Sequence, residues 1–196
     1  MKLLVLLCTF LMTAQAQAYL TSDWDVSLGM TSLKYKFREL DESIESSTTI
    51  EVNYSIYQPS VNTAMTLSFM EIAGGGPQQL PFTRIAVGAR YYLFGINGLR
   101  VVMDSRSEAR VWRPSPFVAA NLGLSNLSVG ESAEESFNAS LIDLNVRGGV
   151  EVPMLSDLLL IGQVSLGSSM ASAGKEDDSV TFNYINLFAG IRFVGF

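Results

Sequence analysis

Apolar and polar residues alternate with a period of two along most of the chain. The clearest run covers residues 180–196, where one face is apolar and the other polar or small: Ile185, Leu187, Ala189, Ile191 and Phe193 against Asn186, Gly190 and Arg192. This alternation predicts a β-strand with two unlike faces. An average soluble strand has about 5 to 6 residues, whereas a tilted strand that crosses a bilayer needs about 9 to 11. The length of the run therefore favours a membrane-spanning strand.

Seven earlier segments repeat the pattern and predict further strands at residues 24–37, 48–57, 61–70, 82–94, 115–128, 137–152 and 158–171. An even number of antiparallel strands with apolar residues at alternate positions is typical of a transmembrane barrel. We predict an all-β fold, an eight-stranded antiparallel up-and-down transmembrane β-barrel. Short turns at 58–60 and 153–157 then share one side with both termini. Loops at 38–47, 71–81, 129–136 and 172–179 lie on the other side.

The first strand changes phase. Its apolar residues occupy even positions up to Met30 and odd positions from Leu33 onward. We therefore predict a β-bulge near residues 31–32, which would keep all of these residues on the lipid face. The same bulge would turn Lys34 and Lys36 toward the interior.

Residues 95–114 do not fit the pattern as well. Alternation is weak there, and the arginines at 100, 106, 110 and 113 outnumber the two acidic residues, Asp104 and Glu108. A short hairpin and an ordered connection both remain open. Two spanning strands would raise the count to ten, but the charge density and the lack of a sustained apolar face argue against them.

The N-terminus has the organisation of a secretory signal peptide. Lys2 precedes an apolar run at 3–12, and Ala16 and Ala18 form a small-residue cleavage site. We predict a signal peptide at residues 1–18 and a mature outer-membrane β-barrel domain at 19–196. The apolar run is too short for a spanning helix, which needs about 20 residues. Because Cys8 lies in the signal, the mature chain would carry no thiol and no disulfide.

Two segments share a Gly-x-Arg-aromatic motif with a phenylalanine three positions later. One comprises Gly190, Arg192, Phe193 and Phe196; the other spans 88–94. The C-terminal copy resembles the ending of small bacterial outer-membrane β-barrel proteins of the OmpA and OmpX type. The resemblance implies an eight-stranded barrel in the bacterial outer membrane, with periplasmic termini and a last strand that the barrel-insertion machinery reads. The late phenylalanines fit an aromatic girdle at the periplasmic interface, together with other rings at that level: Trp24, Tyr91, Tyr92, Phe94, Trp112 and Phe196.

The amino-acid composition limits the reactions and binding sites that the protein can have. The chain has no histidine, which removes Ser-His-Asp hydrolysis and most transition-metal sites. The net charge of −6 gives a nucleic-acid partner no electrostatic support. We predict that the protein is not an enzyme and has no catalytic, cofactor-binding or metal-binding residues. Asp143 and Glu151 are the nearest candidates for an acid–base pair, but they share a strand face with Arg147, which favours an internal set of ion pairs over catalysis.

The predicted inward-facing charges are mixed in sign: Lys34, Lys36, Arg84, Arg90, Arg147 and Arg192 against Glu51, Asp143 and Glu151. An eight-stranded barrel is just wide enough for side chains to fill it, and buried charges must be paired. We therefore expect a lumen plugged by ion pairs and a structural or surface-interaction role. The alternatives are a small low-conductance channel, a carrier of an apolar ligand, and a soluble periplasmic barrel of lipocalin shape.

The predicted outer loops are acidic at Glu39, Asp41, Glu42, Glu45, Glu131, Glu134, Glu135, Glu176, Asp177 and Asp178. Simple solvation of loop tips is favoured over a divalent-ion site, because no loop has the spacing of an EF-hand. An extracellular partner at these loops is a second interpretation. Gly74, Gly75, Gly76 and Pro77 predict a flexible loop. The remaining expected partners are outer-membrane lipids and lipopolysaccharide.

Overall fold

A computed structural model describes residues 20–37, 40–57, 62–73, 82–95, 99–104, 107–111, 114–129, 137–155, 158–172 and 180–194. Ten strands occur in these ranges: β1 (Thr21–Phe37), β2 (Leu40–Tyr57), β3 (Thr63–Ala73), β4 (Phe82–Tyr92), β5 (Leu99–Asp104), β6 (Ser107–Val111), β7 (Ser115–Val129), β8 (Phe137–Leu155), β9 (Leu158–Ser172) and β10 (Val180–Val194). The described ranges include no apolar helix long enough to cross a bilayer. The predicted signal peptide at 1–18 lies outside the described residues.

Within the described ranges, eight strands form one closed antiparallel barrel in the order β1, β10, β9, β8, β7, β4, β3, β2. The last strand closes it by pairing with the first in an unbroken register from Asp23–Val194 to Phe37–Val180. Strands β5 and β6 pair with each other in a separate two-stranded sheet. The predicted eight-stranded barrel is confirmed, and of the segment 95–114 the described strands β5 and β6 form a short hairpin that is not part of the barrel sheet.

The barrel has two ends. We call the end where β1 begins and β10 finishes the terminal end, and the opposite end the far end. At the terminal end, Gly95 has a φ of 94°, a value that glycine adopts at little steric cost. Its carbonyl accepts a hydrogen bond from Ser115 Oγ at 3.1 Å. This link joins the end of β4 to the start of β7, at the point where the hairpin leaves the barrel wall.

Several strands are longer than predicted. The expected loop at 38–47 is wrong, because β2 begins at Leu40, which pairs with Phe37 of β1. The expected turn at 153–157 is also too long: Pro153 lies in β8 and pairs with Leu159. Backbone pairing does not require an apolar face, so polar segments that resemble loops in sequence can extend a strand beyond the membrane. The predicted turn at 58–60 and the glycine-rich segment at 74–77 fall outside the described residues.

An apolar belt surrounds the part of the barrel nearer the terminal end. Its exposed residues are those predicted to face lipid, among them Val26, Leu28, Ile50, Leu67, Phe69, Ile85, Val87, Leu122, Leu124, Leu144, Val146, Val164, Leu166, Ile185 and Leu187. On β10 the belt extends from Ile185 to Phe193. Nine residues at the rise and tilt of a barrel strand cover about 23 Å, close to the about 25 Å apolar band of outer-membrane barrels.

The phase of β1 differs from the prediction. A register shift does occur between Thr31 and Leu33 in the pairing of β1 with β2, so the predicted irregularity is confirmed. However, Thr31 pairs with Ser47 and Leu33 with Ile44, which places the extra residue on β2. Strand β1 therefore keeps its alternation, and Leu33 is buried at 1% exposure.

As a consequence, Lys34 and Lys36 are exposed on the outer surface. The prediction that these two lysines face the interior is wrong. A two-residue alternation separates two faces, but it does not say which strand of a pair takes up an extra residue.

Candidate functional site

Charged side chains are concentrated inside the barrel rather than in a surface cleft. Nine charged residues of the described strands are buried, five of them acidic and four arginines: Asp23, Asp25, Glu51, Asp143, Glu151, Arg84, Arg90, Arg147 and Arg192. Burial of an unpaired charge would cost several kcal/mol. The arrangement of these groups therefore decides whether the interior is a stable plug or an open path.

The group nearest the terminal end is the basal network, which comprises Asp23, Asp25, Arg90, Tyr92, Glu151 and Arg192. Arg192 Nη1 lies 2.6 Å from both carboxylate oxygens of Glu151. Its Nε donates to Asp23 Oδ2 at 3.0 Å. These bonds connect β10 with β8 across the lumen and with β1 beside it.

Arg90 completes the basal network from β4. Its Nη1 donates to Glu151 Oε1 at 3.0 Å, and its Nη2 donates to Asp25 Oδ2 at 3.2 Å. The Tyr92 hydroxyl donates to Glu151 Oε1 at 2.9 Å. The Arg90 guanidinium also lies 4.5 Å from the ring centroid of Phe117, which is within the range of a cation–π contact. The planar fork of arginine suits such multiple contacts better than lysine does.

A second set of charges lies at mid-height. Arg147 and Glu51 form a bidentate ion pair, with Nη2 to Oε1 at 2.7 Å and Nη1 to Oε2 at 3.1 Å. Gln163 Nε2 donates to Glu51 Oε2 at 2.9 Å. The pair joins β8 to β2 through the centre of the barrel, since neither strand is a neighbour of the other in the sheet.

A third set lies closer to the far end. Arg84 Nε donates to Asp143 Oδ1 at 2.8 Å, and Tyr184 Oη approaches the same oxygen at 3.3 Å. Ser125 Oγ donates to the other carboxylate oxygen. A Cβ added at Gly123 would lie 2.7 Å from both Arg84 Nε and Asp143 Oδ2. The missing side chain of this glycine thus makes room for the ion pair.

Between the ion pairs and the far end, the interior of the barrel becomes apolar. We call this the apolar cap; its buried members are Leu33, Tyr35, Met70, Ile72, Phe82, Leu127, Leu141, Phe182, Tyr184 and Phe188. The rings of Phe82 and Phe182 meet edge to face with centroids 5.5 Å apart, and Phe182 stacks on Tyr184 at 5.8 Å. Aromatic pairs in this range contribute about 0.5 to 1.5 kcal/mol beyond their buried area.

The structure separates the residues that the sequence suggested as an acid–base pair. Asp143 belongs to the set nearest the far end and Glu151 to the basal network, and Arg147 pairs with Glu51 instead of with either. All three residues take part in buried ion pairs, as the sequence favoured, but they do so in three separate sets and not with one another. The reason is spacing, because eight residues of one strand extend about 27 Å.

Asp23 and Asp25 were missed in the sequence although both are buried in the basal network. A signal for them exists: they alternate with Trp24 and Val26, which face outward. The predicted inward positions of Glu51, Arg84, Arg90 and Arg192 are correct.

The aromatic prediction holds for some rings. Trp24, Tyr91 and Phe94 are exposed near the terminal end. Tyr92 lies at the same level, as predicted, but it faces inward with 0% exposure, so it is not part of a girdle on the outer surface. Trp112, Phe196 and most of the acidic loop residues fall outside the described part of the chain. Asp41, Glu42 and Glu45 belong to β2 instead of a loop.

The interior is a polar core in which the buried charges are paired. Each of the five buried carboxylates contacts an arginine or a side-chain donor, which leaves little capacity to act as a base or a ligand. Among the described residues, no group of three or more acidic, cysteine or histidine side chains is placed to hold a metal ion.

Two solved structures of other proteins have a fold similar to that of this chain. Neisserial surface protein A (NspA) superposes with a TM-score of 0.59 at 15% sequence identity, over 88% of this chain and 97% of that one. The outer membrane protease OmpT from Escherichia coli gives a TM-score of 0.58 at 7% identity, over 91% of this chain and 99% of the other. At such identities the similarity concerns the fold alone. No protein-family model and no curated protein matches the sequence.

The predicted resemblance to small outer-membrane barrels is confirmed at the level of the fold. The apolar belt and the fold together support an outer-membrane location. They do not decide between catalysis and another role, because one similar protein is named as a protease and the other as a surface protein.

Proposed function

We propose that the protein is a non-catalytic outer-membrane barrel with a structural or surface-interaction role and a lumen that does not conduct. The observation that carries this proposal is the series of filled levels inside the barrel. The basal network, the mid-height pair of Arg147 and Glu51, and the apolar cap follow one another along the axis. A polar barrier and an apolar barrier thus block the lumen one after the other. Partners would therefore bind at the outer surface of the barrel.

Single-channel recording in planar bilayers tests the closed lumen. The purified mature protein is expected to give no discrete openings. Heat-dependent migration in a detergent gel, measured on the same sample, establishes that the silent protein is a folded barrel. Reproducible openings from folded protein would overturn the proposal.

A small channel is the second candidate, and one observation favours it. Several buried polar atoms lack a hydrogen-bond partner, and four of them lie on one wall: Ser27 Oγ, Asn53 Oδ1, Ser55 Oγ and Ser68 Oγ. Buried polar groups normally form hydrogen bonds with protein or water. We therefore expect a few water molecules in the lumen beside this wall. A continuous water path would produce the openings that the first candidate excludes.

We also propose that the terminal end faces the periplasm and the far end the cell exterior. Polar residues on the outer surface of the far end support this orientation, because that part of the wall extends beyond the belt. Residues 19–196 contain no cysteine, so single cysteines introduced there can report exposure. On intact cells, a membrane-impermeant maleimide is expected to label Asn126→Cys at the far end and not Met154→Cys at the terminal end. The reverse labelling would contradict the orientation.

A further inference from the structure

The outer surface carries a groove at the border between the apolar belt and the polar far end. It has a volume of about 390 Å³ and is lined by residues of β8, β9 and β10. We propose that this groove and Lys34 together bind an anionic membrane lipid, with an acyl chain in the groove and the headgroup phosphate at the Lys34 ammonium group. The site rests on the membrane placement proposed above.

The lining of the groove is mostly apolar and includes Met170 toward the far end, but the strand register brings its two exposed polar residues, Asn183 and Ser168, into one row. One row crosses the three strands as Ile185, Leu166 and Val146, all of them apolar. The next row toward the far end contains Asn183, Ser168 and Leu144. The apolar lining suits the acyl chain of a lipid, and the polar pair Asn183 and Ser168 marks the side on which the headgroup would lie.

Lys34 continues the second row onto the next strand. It pairs with Asn183 across β1 and β10, and adjacent strands lie about 4.8 Å apart. Its side chain is exposed on the outer surface. The long aliphatic stem of a lysine can lie along apolar surface while its charge stays in water. The ammonium group can therefore reach a phosphate placed over the polar edge of the groove.

Lys36 provides an internal comparison. The register partners of Lys34 are Asn183 on β10 and Ser43 on β2, and neither is charged. Lys36 pairs instead with Thr181 and with the acidic Asp41. Lys34 is thus level with the row of the groove that contains Asn183, whereas Lys36 lies two residues farther from the belt.

Native mass spectrometry of the folded mature protein tests the site. The protein is exchanged into detergent that contains equal amounts of phosphatidylglycerol and phosphatidylcholine, and the retained lipid is counted. Wild type is expected to retain phosphatidylglycerol preferentially. Lys34→Gln should reduce that preference roughly five-fold, the effect of one basic side chain near an anionic headgroup. Lys36→Gln should change it less than about two-fold, because Lys36 lies two residues, about 7 Å, farther from the groove.

A second pair of variants tests the groove itself. Val146→Trp fills it and should lower retention of both lipids, whereas Val87→Trp places the same ring on the lipid face of β4, outside the groove, and should leave retention unchanged. Equal losses for the two lysine variants would indicate general surface attraction and overturn the site. So would unchanged retention in Val146→Trp.

The gel-migration assay separates this failure from failure of the proposed function. A folded, membrane-inserted barrel without lipid preference refutes the lipid site alone. Recovery of the protein from the periplasm without detergent refutes the membrane placement as well.

Discussion

The belt region and the far region of the same barrel have opposite polarity. In the belt, Leu28 and Val26 face outward while Asp25 and Ser27 are buried. Beyond Thr31, the same strand buries Leu33 and exposes Lys34. Both regions keep a strict two-residue alternation, so the backbone does not change between them. The solvent outside the wall changes, and the residue types follow it.

This difference shows that the two regions of one barrel wall are stabilised by different interactions. In the belt, lipid solvates apolar side chains, and the interior is held by ion pairs and hydrogen bonds. In the far region, the wall resembles that of a water-soluble barrel, because apolar rings fill the inside and polar groups face out. The two arrangements meet at Tyr184, which packs in the apolar cap and bonds to Asp143.

The largest expected effect comes from breaking the polar interior. Arg192→Leu removes the guanidinium that contacts both Asp23 and Glu151. Loss of one partner from a buried ion pair costs about 3 to 5 kcal/mol, since it leaves uncompensated charge. Urea unfolding in lipid vesicles measures the change. Ile191→Leu, on the neighbouring lipid-facing position, is the control and should stay within about 0.5 kcal/mol. A loss below about 1 kcal/mol for Arg192→Leu would argue that the basal network is not a stabilising core.

A lysine scan sharpens the contrast between the two outer surfaces. Leu28→Lys places a charge in the middle of the belt and should destabilise the barrel by about 2 to 4 kcal/mol. Asn126→Lys places the same side chain on the outer surface of the far region and should change stability by less than about 0.5 kcal/mol. The same unfolding assay in vesicles applies. Similar costs at both positions would mean that the far region is also in contact with lipid.

The smallest expected effect concerns the junction of the two interiors. A Cβ added at Gly167 would lie 2.0 Å from the ring of Tyr184, so Gly167→Ala must displace that ring. Overpacking of this kind costs about 1 to 3 kcal/mol. Gly162 of the same strand has no atom within 4 Å of an added Cβ, and Gly162→Ala should be nearly neutral. If the two alanine variants unfold at the same urea concentration, Tyr184 is free to move and does not join the two regions.

Alternation in the sequence was enough to predict the barrel strands, the faces of the belt and most inward charges. It worked for Glu51 and Arg192 because each lies between two outward apolar residues. It failed for Lys34 and Lys36 because the prediction assumed one rule for the whole length of β1. It also treated the segment before Thr48 as a loop, although its backbone continues the ladder.

The sequence by itself determined that this chain forms long two-faced strands, because a period of two is a local property of neighbouring residues. Only the tertiary structure decided which acid meets which arginine, because ion pairs such as Arg147 with Glu51 cross the lumen between strands far apart in the chain. It also decided the level along the barrel at which the outer surface changes from apolar to polar and the interior from polar to apolar. That choice depends on the height at which the wall leaves the apolar belt, and no single strand carries this information.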